Sequence, residues 1–279
     1  MERLDIEQKL LKSSMTQHYN KGKIDLEWSD DGVVPDTVHP DLEFLFQQML
    51  CLTLEEVDAR SGELILDVGC GKAIDAVSLS KKGAIVIGLE PSKVMIDRAK
   101  EHLSKSDTKV ALTQGVGENL PFKSCSFNKV MCKGALDHFL SPSKTMEEIS
   151  RVLKSEGEAI IAIANFESLG FRLGKKLYRM AKCFSRPINE ERKPWELPPD
   201  HTYKFDYQSL SSLVRKHFEI KKTKGISLFF GLPLWGDILS ELPHPVSYAI
   251  LKMLDKLTRP FPSLADVIVM KCIPSCEHK

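Results

Sequence analysis

The stretch Leu64-Ile65-Leu66-Asp67-Val68-Gly69-Cys70-Gly71 is an apolar strand that runs into an acidic residue and then into two glycines separated by one residue. Glycines let the backbone turn sharply and approach a ligand closely, and the helix that follows presents its N-terminal N–H groups to that ligand. Ile74 stands where a dinucleotide-binding turn has its third glycine, and Asp67 would repel a pyrophosphate. The stretch therefore predicts a doubly wound α/β fold whose ligand carries a cationic group.

The next predicted strand, Ala84 to Leu89, is short and apolar and leads into Glu90. Glu90 follows the glycines by about 20 residues, the separation at which a carboxylate binds a ribose diol. A helix predicted to begin at Pro91-Ser92 places Met95 on its apolar face. Met95 either lies against a flat base or packs in the core, and the pattern leaves both open.

Four segments in a fixed order carry a family resemblance: LILDVGCGKAIDAVSLS, GLEPSKVMIDRAK, TQGVGENLPFKSCSFNKVMCKGALDHF and EEISRVLKSEGEAIIAIANF. Together they are similar to the class I S-adenosylmethionine-dependent methyltransferases, in the broad small-molecule group. The similarity is dense over residues 60–165 and thins to a fold-level similarity over 200–224 and 264–272. The ordered set is specific, whereas a lone D-x-G-x-G would not be.

The resemblance implies S-adenosylmethionine as the cofactor and a role for each matched position. Asp67 and the glycine turn would hold the methionine end, Glu90 would bind the ribose, and residues 117–119 would border the adenine. Val116 stands where the family often has an acid, so Glu118 or the backbone would replace that contact to the adenine amino group. The implied cofactor-binding residues are Tyr19, Asp67, Gly69, Cys70, Gly71, Glu90, Pro91, Met95, Gly117, Glu118, Asn119, Lys133 and His138.

Transfer of a sulfonium methyl group is an in-line displacement, in which alignment and exclusion of water supply most of the rate. Asp137-His138 follows the fourth predicted strand, so His138 is the first candidate for a general base; its alternative role is to hydrogen-bond the cofactor. His201 is the second candidate base. Tyr19 resembles the aromatic that many of these enzymes fold over the sulfonium, or it packs in the core.

The chain is expected to form a doubly wound Rossmann-like sheet, mostly parallel, with one antiparallel strand near the C-terminus and with helical cap insertions. Residues 1–60 are expected to form an N-terminal helical cap, and residues 61–279 a Rossmann-like domain with lids at 166–204 and 225–262. An acceptor pocket formed by the lids would be lined by Phe229, Phe230, Leu234 and Trp235, with the basic stretch 172–193 at its mouth. The same aromatics would alternatively seal the sheet edge or form a dimer contact.

Composition excludes several other classes. The seven cysteines are spread singly, so neither a disulfide framework nor a metal site is expected. No run of residues is long and apolar enough for a membrane span, and the charged N-terminus is not a signal peptide, so a cytoplasmic location is expected. The chain has no basic stripe interleaved with aromatics, which argues against a nucleic-acid substrate.

Charge is divided along the chain. Residues 1–63 carry 14 acidic and 6 basic side chains, whereas residues 165–225 carry 14 basic and 7 acidic ones. The basic half would attract an anionic acceptor or dock on the acidic half. The first hypothesis is a methyltransferase acting on oxygen, nitrogen or carbon of a small or amphiphilic, lipid-like acceptor. The second is a degenerate member that binds the cofactor or a partner without catalysis, and a homodimer is left open.

Overall fold

The computed structural model describes residues 25–31, 38–184 and 193–275. These residues form one seven-stranded sheet in the order β3-β2-β1-β4-β5-β7-β6. The first five strands are parallel, and β7 is antiparallel to both of its neighbours, as the sequence predicts. The strands are β1 (Leu64–Val68), β2 (Ile85–Glu90), β3 (Val110–Gln114), β4 (Phe127–Lys133), β5 (Leu153–Ala164), β6 (Phe218–Ile226) and β7 (Val267–Pro274).

Helices cover both faces of the sheet. The helices are α1 (Pro40–Val57), α2 (Ile74–Lys81), α3 (Lys93–Ser104), α4 (Pro142–Val152), α5 (Leu169–Phe184), α6 (Tyr207–Val214), α7 (Trp235–Ser240) and α8 (His244–Thr258). Side chains of α4 and α6 pack on one face in a single apolar cluster. Side chains of α1, α2 and α3 pack on the other face in a second cluster. The fold is therefore the doubly wound Rossmann-like arrangement that the glycine turn and the strand pattern predict.

Local sequence explains where the site-forming helices begin. The Ser92 side chain accepts a hydrogen bond from the Met95 N–H and caps α3, and the Ser141 side chain caps α4, whose first residue is Pro142. The sequence predicts a helix from Lys72 to Lys82, but the turn before α2 uses Ala73 with a positive φ of 59°, so this helix starts at Ile74. The caps at Ser92 and Ser141 fix the starts of α3 and α4 at the carboxyl ends of the parallel strands.

The sequence predicts strands from Glu158 to Ala164 and from Phe218 to Lys222, and both are longer in the structure because of pairing that is remote in sequence. Leu153 pairs with Phe127, so β5 begins five residues before Glu158. The strand β6 continues to Ile226 because its second half pairs with β7. A sequence pattern read segment by segment misses such extensions, since the partner strand supplies the hydrogen bonds that stabilise them.

Helices α1, α5, α7 and α8 come from the three segments outside the predicted core. Helix α1 packs against the sheet and against α7 and α8. Within the described part of the chain, no helix combines the length and the apolar character that crossing a membrane requires. The expected division into a cap and a lidded domain stays a prediction.

Candidate functional site

A cavity of about 400 Å³ opens at the carboxyl ends of the parallel strands. This is the position where doubly wound sheets bind ligands, and the volume lies in the usual range for small-molecule sites. The loops after β1, β3 and β4 and the end of β2 contribute to it, together with α1 and residues 25–30. The lining residues are Asp25, Trp28, Asp30, Phe46, Leu50, Gly69, Cys70, Gly71, Lys72, Ile74, Asp75, Glu90, Pro91, Met95, Val116, Glu118, Lys133, Gly134, Ala135, His138, Phe139, Leu140, Asp200 and Thr202.

The glycine turn and Glu90 form one rigid part of the wall. Gly69 has a φ of 73°, and a side chain there would overlap Ala135, so only glycine fits. Glu90 Oε2 accepts a hydrogen bond from the Gly71 N–H at 3.0 Å, and Oε1 accepts one from the Ser92 N–H at 3.0 Å. Burial raises the pKa of Glu90, although these two bonds oppose the shift. Each oxygen keeps a lone pair, so the carboxylate can accept further hydrogen bonds.

Two buried carboxylates lie together near the glycine turn. Asp67 is 2% exposed, and its Oδ2 has no hydrogen-bond partner among the described residues; the same holds for the buried Asp75 Oδ1. The other Asp75 oxygen lies 2.7 Å from Lys133 Nζ. Burial, followed by the Asp75 charge, raises the pKa of Asp67 well above its usual range. This part of the site therefore carries more acceptor oxygens than donors to satisfy them, an arrangement that favours a cationic ligand.

Residues 25–31, which we call the strap, contact the cavity from the N-terminal side. Asp30 forms ion pairs with Lys72 Nζ, at 2.6 Å, and with Arg98. The Ser92 hydroxyl donates to the Trp28 carbonyl at 2.5 Å, and the Trp28 indole N–H donates to Asp200 Oδ2 at 3.1 Å. The strap is thus held to the turn after β1, to α3 with its cap, and to the loop that carries Asp200.

Two Asp-His pairs meet at one side of the cavity. His201 Nε2 lies 3.1 Å from Asp137 Oδ2, and His201 Nδ1 lies 3.0 Å from Asp200 Oδ1. His138 Nδ1 lies 3.2 Å from the Asp200 carbonyl oxygen. A carbonyl only accepts, so Nδ1 of neutral His138 carries the proton and Nε2 has a free lone pair. Asp137 Oδ1 lies 3.9 Å from that Nε2.

The charges in this cluster follow from its contacts. Burial alone would lower the pKa of His201, but Asp137 and Asp200 raise it to about 10. Burial would also raise the pKa of both carboxyls, but the His201 cation holds each below its ordinary value. Asp137, His138 and His201 each offer one atom that can bind a metal ion, and these three atoms lie within 4.8 Å of one another. The His201 ion pairs already satisfy most of these atoms without one.

Most of the sequence-predicted cofactor residues are at the cavity. The predicted residues that line it are Gly69, Cys70, Gly71, Glu90, Pro91, Met95, Glu118, Lys133 and His138. Asp67, Gly117 and Asn119 do not line it; Asp67 lies behind the turn, and Asn119 is exposed. Tyr19 lies outside the described residues. The roles assigned to all of them stay predictions.

The predicted candidate bases differ in placement. His138 lines the cavity, and its ring lies edge-on to Trp28 with a centroid separation of 5.4 Å. His201 and Asp137 do not line it; they contact the lining residues Asp200 and Thr202.

The aromatic residues expected to line an acceptor pocket lie elsewhere, so that expectation is wrong for this cavity. Phe230 packs against the apolar cluster between the sheet and α1, and its N–H donates to Asp266 Oδ2 at 3.1 Å. Trp235 packs on the cluster of Phe44, Leu239 and Leu251. Local composition marks these residues as apolar but does not tell which apolar partner they meet.

Sequence reasoning missed several residues of the wall. Trp28, Phe46, Leu50, Ile74 and Asp75 all line the cavity. For Asp75 there was a usable signal, since it lies in the first turn of the helix that follows the glycines. The others come from segments whose position depends on tertiary packing.

Comparison with known proteins identifies the central part of the chain. Residues 66–161 match the family model described as a methyltransferase domain. An uncharacterized methyltransferase of Bacillus subtilis, YcgJ, is 30% identical over 113 residues, which are 40% of this chain and 45% of that protein. The ubiquinone biosynthesis O-methyltransferase of Vibrio campbellii is also 30% identical over 113 residues, which are 40% of this chain and 48% of the relative. The chain thus spans about half the length of these relatives.

Solved structures agree on the fold. The crystal structure of the Bacillus subtilis YcgJ protein has a TM-score of 0.51 and 18% sequence identity, and the match covers 82% of this chain and 96% of that one. The crystal structure of the PH0226 protein from Pyrococcus horikoshii has a TM-score of 0.55 and 17% identity, with coverage of 82% and 89%. Residues 66–161 thus match a methyltransferase domain, and the sheet topology agrees with the fold of these solved structures.

Proposed function

We propose that the chain binds S-adenosylmethionine in the cavity at the strand carboxyl ends and transfers its methyl group in line to an oxygen, nitrogen or carbon atom of a small or lipid-like acceptor. The observation that carries this proposal is the presence of two carboxyl groups on the wall of one cavity: Asp75, whose Oδ1 has no partner among the described residues, and Glu90, which holds the glycine turn. These are the two carboxylates that an amino acid ammonium and a ribose diol would need.

The charged groups near the turn suit the zwitterionic end of the cofactor. The unpartnered Oδ1 of Asp75, which lines the cavity, supplies an acceptor for an ammonium group. Lys133, which lines the cavity beside Asp75, supplies a cation for a carboxylate. A buried carboxylate that lacks a partner is costly, so a cationic ligand would relieve part of that cost.

The remaining wall suits a nucleoside. The Glu90 oxygens keep lone pairs that can accept hydrogen bonds from two ribose hydroxyls. Val116 and Met95 offer apolar contacts to a base. Glu118 Oε1 accepts from the N–H groups of Leu140 and Ser141, so its other oxygen is the one available to an adenine amino group.

The acceptor side is apolar. Phe46 and Leu50 of α1 and Ile74 of α2 line the cavity, and Ile74 is 49% exposed. Such a surface favours a hydrophobic or amphiphilic acceptor. The Vibrio relative bears the name of an O-methyltransferase of ubiquinone biosynthesis, which is consistent with an acceptor that has an apolar part.

Bound S-adenosylmethionine would supply an activated methyl group on a sulfonium, so the protein has to align the acceptor and exclude water. His138 is the group suited to take a proton from an oxygen or nitrogen acceptor, because its Nδ1 is held by the Asp200 carbonyl and its Nε2 is free. His201 already carries a proton between Asp137 and Asp200, which leaves it a positioning role.

Calorimetry with S-adenosylmethionine, combined with a turnover assay for S-adenosylhomocysteine against a metabolite pool separated by polarity, tests the proposal. We expect cofactor binding and product formation with an apolar fraction. Binding without turnover on any fraction would favour the alternative, a degenerate member that only binds, whereas an absence of binding would contradict both.

His138→Gln tests the base. The substitution should lower turnover on an oxygen or nitrogen acceptor by about 10² to 10⁴, with cofactor affinity changed by less than about twofold. His102→Gln, a change on α3 away from the cavity lining, is the matched control. Full activity of the His138 variant would assign His138 to positioning alone.

A further inference from the structure

Helix α5 presents three apolar side chains to solvent along one line. Leu173, Leu177 and Met180 are 37%, 45% and 50% exposed. Successive residues of an α-helix are about 100° apart, so these three lie within a sector of about 60°. Single exposed apolar residues are ordinary on a protein surface, but an aligned stripe of them is characteristic of a contact surface.

A stripe of cations runs beside the apolar stripe. Arg172, Lys176 and Arg179 are exposed and occupy the neighbouring sector of about 60° on the same helix. Within the described part of the chain, none of the three forms an ion pair with an acidic side chain. The exposed half of α5 is therefore apolar on one side and positively charged on the other.

The packing of α5 on the protein does not need either stripe. The opposite side of the helix carries Gly170 and Gly174, where the backbone approaches Phe229 and Phe230 and the Trp195 ring too closely for a side chain. Phe171, on the same side, is buried against Phe230, with ring centroids 6.1 Å apart. The helix is thus already attached by one side, and its exposed stripes are available for another partner.

We propose that α5 docks this protein on an anionic membrane surface, with Leu173, Leu177 and Met180 entering the interface and Arg172, Lys176 and Arg179 contacting lipid head groups. A helix that lies in a membrane interface combines an apolar stripe with Lys and Arg on its polar side. Anionic lipids complement the cations of α5, and each such cation near the surface strengthens binding.

Charge distinguishes this partner from a second copy of the chain. A two-fold symmetric dimer brings the same surface patch together from both subunits. The cationic stripes of two α5 helices would then face each other without acidic partners, which disfavours association. The membrane contact does not depend on the methyl-transfer proposal, because none of the six side chains lines the cavity.

Co-sedimentation of the full-length protein with vesicles tests the proposal. We expect binding to vesicles of phosphatidylcholine mixed with phosphatidylglycerol, weak binding to phosphatidylcholine alone, and release as salt increases. The triple change Leu173→Ser, Leu177→Ser and Met180→Ser should abolish sedimentation. The double change Lys176→Glu and Arg179→Glu should weaken it at least about tenfold.

Matched controls change the same chemistry elsewhere. Ile85→Ser removes an exposed apolar side chain at the start of β2, and Lys81→Glu with Lys123→Glu reverses two exposed cations, so these variants should sediment like the parent. Thermal melting and cofactor calorimetry confirm that each variant is folded. Equal sedimentation of parent and α5 variants, or none by the parent, would overturn the proposal. So would a dimer in analytical ultracentrifugation that the triple change breaks, which would assign α5 to a contact between copies.

Discussion

The indole N–H of Trp28 donates a hydrogen bond to Oδ2 of Asp200, 3.1 Å away, and this bond joins segments 172 residues apart in the chain. Asp200 also binds His201 through its other oxygen and His138 through its backbone carbonyl. The strap, which lines one side of the cavity, is therefore connected directly to the cluster that orients His138. Asp200 is the residue that joins them.

Trp28→Phe removes this bond and retains most of the ring. We expect the dissociation constant for S-adenosylmethionine to rise about 3- to 10-fold, because one partly exposed hydrogen bond to a carboxylate contributes on the order of 1 kcal/mol. Calorimetry measures the change. Trp195→Phe, a change at a tryptophan that packs on α5 and does not line the cavity, should leave the affinity unaltered. Equal affinities for the parent and the Trp28 variant would show that the strap takes no part in cofactor binding.

The part of the site formed by the glycine turn, Glu90 and His138 was predictable because its geometry follows from residues that are close in sequence. The strand, the glycine turn and Glu90 follow from the order of residues along 64–90, since parallel strands place their carboxyl ends at one edge of the sheet. His138 was predictable for the same reason, as it follows β4 directly.

The part of the wall formed by the strap and α1 was not predictable, because its position depends on packing between segments that are distant in sequence. Trp28 and Phe46 reach the cavity only through the tertiary placement of the strap and α1. One signal was present but unused: the dipeptide Asp-His occurs at 137–138 and again at 200–201, and the two copies meet in the structure. Trp235 shows the opposite case, in which apolar composition suggested a pocket and packing placed the residue in a separate core.

Glu90→Ala should weaken binding of S-adenosylmethionine by about 1.5 to 3 kcal/mol, since hydrogen bonds between a carboxylate and the ribose are lost. Glu90→Gln keeps one oxygen that can accept a hydrogen bond from a backbone N–H. This variant therefore separates the loss of the ligand contact from the loss of support for the turn. Glu101→Ala, at an exposed position on α3, is the control. An unchanged dissociation constant by calorimetry for Glu90→Ala would remove this residue from the site.

NAD and NADP should not bind measurably. Ile74 occupies the position of the third glycine at the start of α2, and the carboxyl group of Asp75, in the first turn of that helix, lines the cavity where a pyrophosphate would lie. Thermal shift assays with NAD, NADP and S-adenosylhomocysteine measure this directly, and only the last should raise the melting temperature. Equal stabilisation by NAD would contradict the assignment of the cavity to S-adenosylmethionine.

The His201 cluster should make folding stability depend on alkaline pH. His201 has a pKa of about 10 in the folded protein, against an ordinary value of 6.5, because Asp137 and Asp200 face it along with His138. A raised pKa means that the folded state binds the proton more tightly, so the stabilisation is complete below pH 6.5 and declines as pH rises towards 10.

Urea unfolding at a series of pH values across this window checks the expectation. His201→Gln should cost roughly 3 to 5 kcal/mol at neutral pH, because Asp137 would remain buried without its cation, and its deficit should shrink as pH rises. Lys123→Gln, at an exposed position between β3 and β4, is the control. A parent protein whose free energy of unfolding stays constant between pH 6.5 and 10 would show that His201 is not held as a cation.

Trp235→Ala should destabilise the fold without acting on the chemistry. Trp235 packs on Phe44 of α1 and lies edge-on to Phe229, and it does not line the cavity. We expect a loss of about 1 to 3 kcal/mol in the free energy of unfolding, less than for a fully buried tryptophan, because part of the side chain is exposed. Cofactor affinity and turnover per folded molecule should change by less than about twofold. Leu234→Ala, at a neighbour that is 70% exposed, should leave the melting temperature unchanged. Reduced turnover at unaltered stability would instead place Trp235 in contact with the acceptor, because a side chain that only supports α1 cannot affect the reaction without first weakening the fold.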